Sequence, residues 1–150
     1  MNCEDYAWLA KNKSDHFDVW WDAEDCHPVY FSYLIEYCSE KFDVWWNEDS
    51  IYDIYYWKLA KYCPEKFDIW WNADKFPAED YWYLAKYCSD KFDVWWGTNK
   101  FPAKDYWALA IYCADKFFIW WPEEVFPPED YWFLAKFCSD NAGIWGYRYG

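Results

Sequence analysis

Hydrophobic and polar positions follow one pattern that recurs every 25 residues along the chain. The doublet Trp20-Trp21 returns in four later copies at that spacing, and six units align without a gap. With positions numbered 1 to 25 in each unit, position 9 is always Leu, position 19 is always Val or Ile, and position 20 is always Trp. Self-similarity at a fixed period of this length is the signature of a solenoid.

Each unit is predicted to begin with an amphipathic helix, helix A, over positions 2 to 13. Its apolar residues stand at positions 6, 9, 10 and 13, the i, i+3, i+4, i+7 spacing of one helical face. Pro at position 2 and acidic residues at positions 4 and 5 of the later units are typical of a helix start. Lys at position 11 suits its end, since cations are favoured near the carboxyl terminus of a helix.

Positions 14 to 21 predict a second, shorter helix, helix B. In the fourth unit Ser89 can cap it, and Phe92, Trp95 and Trp96 then lie at i, i+3 and i+4. Pro64, at position 14 of the third unit, also fits a helix start. The same residues alternate as in a strand, and β-branched and aromatic residues favour strands, so a strand is the alternative.

These patterns predict an all-α, right-handed solenoid of six two-helix repeats in a single domain, 1–150. The repeats are 1–25, 26–50, 51–75, 76–100, 101–125 and 126–150. The first and last repeats depart most from the pattern and are expected to cap the array, because a solenoid needs ends without an exposed stacking face. If helix B is instead a strand, the fold becomes an α/β horseshoe.

The segment FPPEDYWFLAKFC, from Phe126 to Cys138, resembles the leucine-rich-repeat variant, a solenoid of alternating α- and 3₁₀-helices. The likeness extends over all six units, although these have 25 residues rather than 24 and carry Trp where small aliphatic residues are usual. The motif LAKYC followed by FDVWW also resembles the cysteine-containing leucine-rich repeat, which implies the α/β horseshoe. Neither resemblance implies catalytic residues.

Composition and charge limit the classes of partner that the protein is expected to bind. Aromatic residues make up 29% of the chain, which is ample material for a core. The formal net charge is −13, and the first two repeats contribute −5 and −4 of it. This acidity disfavours direct nucleic-acid binding, which needs a basic stripe, and permits a basic protein partner. No apolar run approaches about 18 residues and no signal peptide is visible, so a cytoplasmic protein without a membrane span is expected.

Five of the seven cysteines share position 13 of successive repeats. They are Cys38, Cys63, Cys88, Cys113 and Cys138. Neighbouring helices pack about 8–10 Å apart, which is too far for a disulfide between repeats. We therefore expect buried, reduced thiols, in agreement with a reducing compartment.

No residue pattern predicts catalysis, a metal or a cofactor. Cys26 and His27 match no zinc-ligand spacing, and adjacent side chains rarely face each other as a nucleophile and its base do. Asp residues at position 18 of the first four repeats form a row, but stacked repeats bring like residues together in any case, so the row does not indicate a glycosidase pair.

A binding surface is the remaining prediction, because equal positions of successive repeats fall in one line. We expect an acidic row beside an aromatic row at positions 18 and 20 of the interior repeats. The predicted binding residues are Asp43, Asp68, Asp93, Trp45, Trp70 and Trp95. The alternative is that the position-20 Trp residues are core.

The sequence thus favours a non-enzymatic scaffold that binds a protein or peptide, including a basic one, through an aromatic and acidic face. A carbohydrate-binding module is the first alternative, because Trp rings stack on sugars and Asp accepts hydrogen bonds from their hydroxyl groups. An acidic mimic of nucleic acid that inhibits a basic protein is the second.

Overall fold

A computed structural model describes residues 3–22, 28–121 and 128–139. Every regular element in these ranges is an α-helix or a 3₁₀-helix. The all-α prediction is therefore confirmed in its fold class, and the α/β horseshoe is not supported. The α-helices are α1 (Cys3–Asn12), α2 (Phe17–Trp20), α3 (Phe31–Tyr37), α4 (Phe42–Trp45), α5 (Tyr56–Tyr62), α6 (Phe67–Trp70), α7 (Tyr81–Tyr87), α8 (Phe92–Trp96), α9 (Tyr106–Tyr112), α10 (Phe117–Trp120) and α11 (Tyr131–Phe137).

Odd-numbered helices correspond to helix A and even-numbered helices to helix B. Apart from α1, each helix A begins as an α-helix at position 6, after a 3₁₀ turn over positions 3 to 5, and so later than the pattern predicts. It ends at position 12. In the third repeat Cys63 at position 13 has left the helical region, with φ −130° and ψ 44°. A 3₁₀ turn, Pro64–Lys66, then leads into helix B.

Ring contacts explain why helix B is a helix despite its strand-like composition. Phe67 and Trp70 contact edge to face with centroids 5.0 Å apart, and Phe67 stacks on Trp71 at 5.2 Å with the planes 13° apart. These are i, i+3 and i, i+4 pairs, which a helix brings together and a strand separates. The same contacts recur in the other described copies of the motif. Packing therefore overrides the strand propensity.

Contacts between α-carbons divide the chain into two compact units, Met1–Pro77 and Ala78–Gly150. We call them the N-terminal unit and the C-terminal unit. In the N-terminal unit helix α1 contacts α3, and α3 contacts α5. In the C-terminal unit α7 contacts α9, and α9 contacts α11. Inside each unit, successive copies of helix A are therefore neighbours.

The core of each unit is built from the predicted stripe together with two rings of helix B. Leu34, Ile35 and Cys38 of the second repeat are fully buried, and so are Phe42 and Trp45. In the C-terminal unit the corresponding positions of the fourth and fifth repeats are buried as well. These residues are Leu84, Ala85, Cys88, Phe92, Trp95, Leu109, Ala110, Cys113, Phe117 and Trp120.

The position-13 thiols are buried and free, as predicted. The Cys38 thiol donates to the carbonyl oxygen of Ala10 at 3.9 Å, in the repeat before it. In the C-terminal unit Cys138 donates to Ala110 at 3.6 Å. Ala10 and Ala110 lie in the last turn of their helices, where carbonyl groups lack helical partners. The thiols thus supply donors, although weak ones, between adjacent repeats.

In the native protein we expect these five thiols to react slowly with Ellman's reagent, because a buried thiol that stays protonated is a poor nucleophile. Burial raises the pKa of Cys63 and Cys113 to about 12. Of the seven cysteines, at most two should titrate rapidly in buffer, and all seven after unfolding in guanidinium. Five fast-reacting thiols in the folded protein would contradict this arrangement of the core.

Candidate functional site

The predicted aromatic row at position 20 is wrong, because these tryptophans belong to the core. Trp45 and Trp70 in the N-terminal unit are each 1% exposed, and Trp95 in the C-terminal unit is 0% exposed. Each indole N–H donates to the carbonyl of position 13 in its own repeat. The distances are 2.7 Å from Trp45 to Cys38, 2.8 Å from Trp70 to Cys63 and 2.8 Å from Trp95 to Cys88. A ring held in this way is not available to a partner.

The predicted acidic residues are on the surface. Asp43 and Asp68 in the N-terminal unit and Asp93 in the C-terminal unit are exposed. Both carboxylate oxygens of Asp43 accept hydrogen bonds from the Lys66 ammonium at 3.1 Å. The Asp43 side chain nevertheless stays 72% exposed, so this ion pair leaves most of the carboxylate in water. Whether these aspartates bind a ligand stays a prediction.

Exposed aromatic rings lie instead on helix A, at positions 7 and 8. These positions fall outside the buried stripe at 6, 9, 10 and 13, so their side chains point away from the core. In the N-terminal unit Trp8 is 57% exposed. In the C-terminal unit Trp132 is 56% exposed, and Trp82, Trp107 and Phe133 are partly exposed.

In the C-terminal unit these rings touch one another and form a continuous array. The Trp82 and Trp107 centroids are 5.9 Å apart, and those of Trp107 and Phe133 are 5.8 Å apart. Tyr83 stacks on Trp82 at 3.8 Å, and Trp132 lies 3.7 Å from Phe133. We call this set, Trp82, Tyr83, Trp107, Trp132 and Phe133, the helix A aromatic face. It extends over α7, α9 and α11.

Position 5 of the same three repeats is an aspartate, two residues before the position-7 Trp of the helix A aromatic face, and we call Asp80, Asp105 and Asp130 the acidic margin. Burial raises the pKa of Asp80, and the neighbouring carboxylates of Glu79 and Asp105 raise it further. The pKa of Asp105 is also raised by burial, against the opposing effects of Lys104 and of a side-chain hydrogen bond with Trp107. The acidic margin therefore contacts the aromatic rings directly in the fifth repeat.

Asp130 completes this margin, and burial followed by the Glu129 carboxylate raises its pKa. A raised pKa means that the folded chain holds the charged carboxylate at a cost, which a cation placed beside it reduces. The margin is thus suited electrostatically to a positively charged group.

In the second and third repeats, which belong to the N-terminal unit, a lysine of the chain lies beside the aromatic rings at these helix A positions. The Lys58 ammonium pairs with the Glu36 carboxylate at 3.1 Å and lies 6.0 Å and 5.7 Å from the ring centroids of Tyr33 and Trp57. The Tyr62 hydroxyl donates to the other Glu36 oxygen at 3.2 Å. In the C-terminal unit position 8 is Tyr83, Ala108 or Phe133, so no lysine stands there.

The helix A aromatic face was missed at the sequence level although a signal for it exists. The buried stripe already placed positions 7 and 8 outside the core, and Trp82, Trp107 and Trp132 all stand at position 7. What the sequence does not give is the contact between rings of adjacent repeats, which depends on how the helices stack.

The described residues hold no group of three or more His, Cys, Asp or Glu side chains that could bind a metal ion. They also enclose no detectable cavity. His16 lies on the surface, 3.6 Å from Asp15. Cys26 and His27, considered above as a metal or catalytic pair, lie outside the described residues.

Comparison of the chain with known protein families, with curated proteins and with solved structures found no match. Among the described helices, none combines the length and the apolar character that crossing a membrane requires.

Proposed function

We propose that this chain is a non-enzymatic scaffold that binds a protein or peptide partner through the helix A aromatic face and its acidic margin. The observation that carries the proposal is the continuous array of partly exposed rings over α7, α9 and α11. We further propose that the six repeats form one right-handed solenoid related in architecture to the leucine-rich-repeat variant, with the first and last repeats as caps.

The rings of the face are not needed to fill the core. The core already contains Leu84 and Leu109 of helix A and the rings of Phe92 and Trp95 of helix B, all of which are buried. Contiguous exposed apolar surface of this kind marks interaction sites in soluble proteins, and Trp and Tyr are enriched among the residues that dominate binding energy. A protein partner that covers these rings would remove them from water.

The acidic margin favours a basic partner. Asp80, Asp105 and Asp130 carry raised pKa values, so a lysine or arginine beside them recovers part of the cost of burying their charge. An arginine can also stack on a Trp ring while it pairs with a carboxylate. The net charge of −13 adds a long-range attraction to basic proteins. The five buried, free thiols suit the reducing cytoplasm, which we propose as the location.

The test is a selection of displayed basic peptides on the wild-type protein, followed by fluorescence anisotropy with the peptides it enriches. A face variant with Trp82→Ser, Trp107→Ser and Trp132→Ser should bind these peptides at least about tenfold more weakly, as expected when hot-spot rings are removed. The matched control is Trp8→Ser, which removes from the N-terminal unit a ring as exposed as that of Trp132. It should leave the affinity unchanged, and circular dichroism should show both variants folded.

Equal binding by wild type and face variant would refute the proposal. Salt-insensitive binding to a glycan array, lost in the face variant, would support a carbohydrate-binding module in its place. Binding that depends only on charge, collapses with added salt and is lost when the acidic residues of the first two repeats are neutralised would indicate the nucleic-acid mimic.

A further inference from the structure

Helix B of the N-terminal unit presents a row of exposed aliphatic side chains. Val19, Val44 and Ile69, at position 19 of α2, α4 and α6, are 85%, 54% and 53% exposed. The preceding residue in each helix is an exposed aspartate, namely Asp18, Asp43 or Asp68. We call these six residues the helix B surface. It lies in a different unit from the helix A aromatic face.

Folding alone does not explain the aliphatic row. Val and Ile are poorer helix formers than Ala or Lys because their branched side chains lose rotamer freedom. Since half or more of the surface of each residue is exposed, they gain less from burial than core residues do. The buried side of helix B is filled by other residues, such as Phe42 and Trp45 in the second repeat. Val94 and Ile119 of the C-terminal unit, at the same position, are 47% and 53% exposed as well. The recurrence of Val or Ile at this position thus favours a contact outside the chain, and the N-terminal unit combines it with the larger negative charge.

Ion pairs connect the neighbouring repeats beside this row. Lys41, just before α4, pairs with Asp18 of α2 at 3.2 Å, and Lys66, just before α6, pairs with Asp43 of α4 at 3.1 Å. Each bridge connects helix B of one repeat to the turn that precedes helix B of the next repeat. The side chains of Asp18 and Asp43 remain 74% and 72% exposed, so both can accept further hydrogen bonds.

We propose that the helix B surface binds an extended, basic peptide segment of a partner protein, with an apolar side chain at every third residue. Neighbouring packed helices lie about 8–10 Å apart. Three residues of extended chain span about 10 Å, and three residues of polyproline II helix about 9 Å. An apolar residue at every third place can therefore contact Val19, Val44 and Ile69 in turn, while the basic residues between them reach the aspartates.

The charge of the N-terminal unit favours a basic peptide segment over a second copy of the chain as the partner of this surface. Residues 1 to 77 contain sixteen acidic and seven basic residues, a formal charge of −9. Two such units repel each other, whereas a basic segment is attracted. This inference does not depend on the helix A aromatic face and goes beyond the proposed function, since it assigns a second binding surface.

The probe is a fluorescein-labelled peptide, (Arg-Arg-Val)₄, titrated with the full chain at physiological salt and read by fluorescence anisotropy. The triple variant Val19→Ser, Val44→Ser, Ile69→Ser should bind it about tenfold more weakly, because three apolar contacts are lost. The matched control is Ile54→Ser, which removes a 63% exposed aliphatic side chain of the same unit from outside the row, and it should bind like wild type. The peptide (Arg-Arg-Ser)₄, of equal charge, should bind the wild type as weakly as the triple variant binds (Arg-Arg-Val)₄.

The proposal would be overturned if wild type and triple variant bound (Arg-Arg-Val)₄ equally well. It would also be overturned if wild type bound both peptides equally well, because either result would mean that charge attraction alone explains the binding. Sedimentation that shows a dimer of the wild type and a monomer of the triple variant would overturn it as well, since the occupant would then be a second copy. Circular dichroism checks that the variant is folded. Because the substituted side chains are exposed, its melting temperature should match that of wild type.

Discussion

Replacing Trp70 by alanine should lower the free energy of unfolding by about 3–5 kcal/mol, the usual cost of removing a buried tryptophan. The ring is 1% exposed, packs against Phe67 and Phe76, and donates to the Cys63 carbonyl. Trp70→Phe keeps an aromatic ring but loses the hydrogen bond, so it should cost less, about 1–3 kcal/mol. Urea denaturation followed by far-ultraviolet circular dichroism measures both changes.

The control for Trp70 is Trp8, in the same unit and 57% exposed. Trp8→Ala should change the free energy of unfolding by no more than about 0.5 kcal/mol, as is usual for surface positions. A similar effect of the two alanine substitutions would show that position 20 is not core. The pair therefore tests directly whether buried and exposed tryptophans are assigned correctly.

Raising the pH from about 9 to about 11 should destabilise the protein steeply. Burial raises the pKa of Cys38, Cys63 and Cys113 from 9.0 to about 12, and that of Cys138 to about 11. Above pH 9 these thiols lose their protons in the unfolded chain but keep them in the folded one. The stability they contribute is therefore complete below about pH 9 and is lost as the pH rises towards their folded pKa values.

Each such thiol steepens the loss by up to about 1.4 kcal/mol per pH unit. Denaturant titrations at several pH values, in the presence of a reductant, measure the slope. Cys63→Ala removes one of these thiols and should reduce the slope by up to that amount. A free energy of unfolding that stays constant from pH 8 to pH 11 would contradict the buried, protonated state of the thiols.

The repeat pattern predicts much of this fold because the apolar positions that bury one face of helix A all lie within a single repeat. The stripe at positions 6, 9, 10 and 13 is local, and it correctly places Leu34, Ile35 and Cys38 in the core. The buried thiols follow from the same stripe. The division into two units at residue 77 has no comparable signal, since the repeats on either side of it read alike.

The sequence does not determine whether the position-20 tryptophans face the core or the solvent, and the reason is physical. A 3₁₀ turn separates helix A from helix B, and its residues rotate about 120° each instead of about 100°. The phase of the helical stripe is therefore lost between positions 13 and 17, and spacing alone cannot say which side of helix B faces inward. The indole N–H of Trp45 finds its partner, the carbonyl of Cys38, only once that turn is known.

The contact between Lys58 and Glu36 shows a second kind of feature that the sequence alone does not predict. Lys58 and Glu36 are 22 residues apart, and their contact depends on the register between two stacked helices. Within one helix, oppositely charged residues three or four places apart can be paired from the sequence. Across repeats, positions 8 and 11 become neighbours only through the stacking geometry, so the spacing within one repeat does not predict the contact between Lys58 and Glu36.

The hydrogen bond from each position-20 indole to the carbonyl of position 13 limits where residues can be inserted into a repeat or deleted from it. In five described repeats this hydrogen bond joins two residues that are seven positions apart, Lys13 and Trp20 in the first repeat and the equivalent pairs in the next four. An insertion or deletion inside that span would part donor from acceptor in the core. Among the described residues after position 21, at 47–50, 72–75 and 97–100, no side-chain donor to a backbone carbonyl recurs in all three segments. These segments also differ from one another, with a 3₁₀ turn at Glu48–Ser50 in one and a glycine, Gly97, in another. Repeats of unequal length can therefore arise, or be engineered, by changes in the links between repeats. The segment from position 13 to position 20 must keep a fixed number of residues.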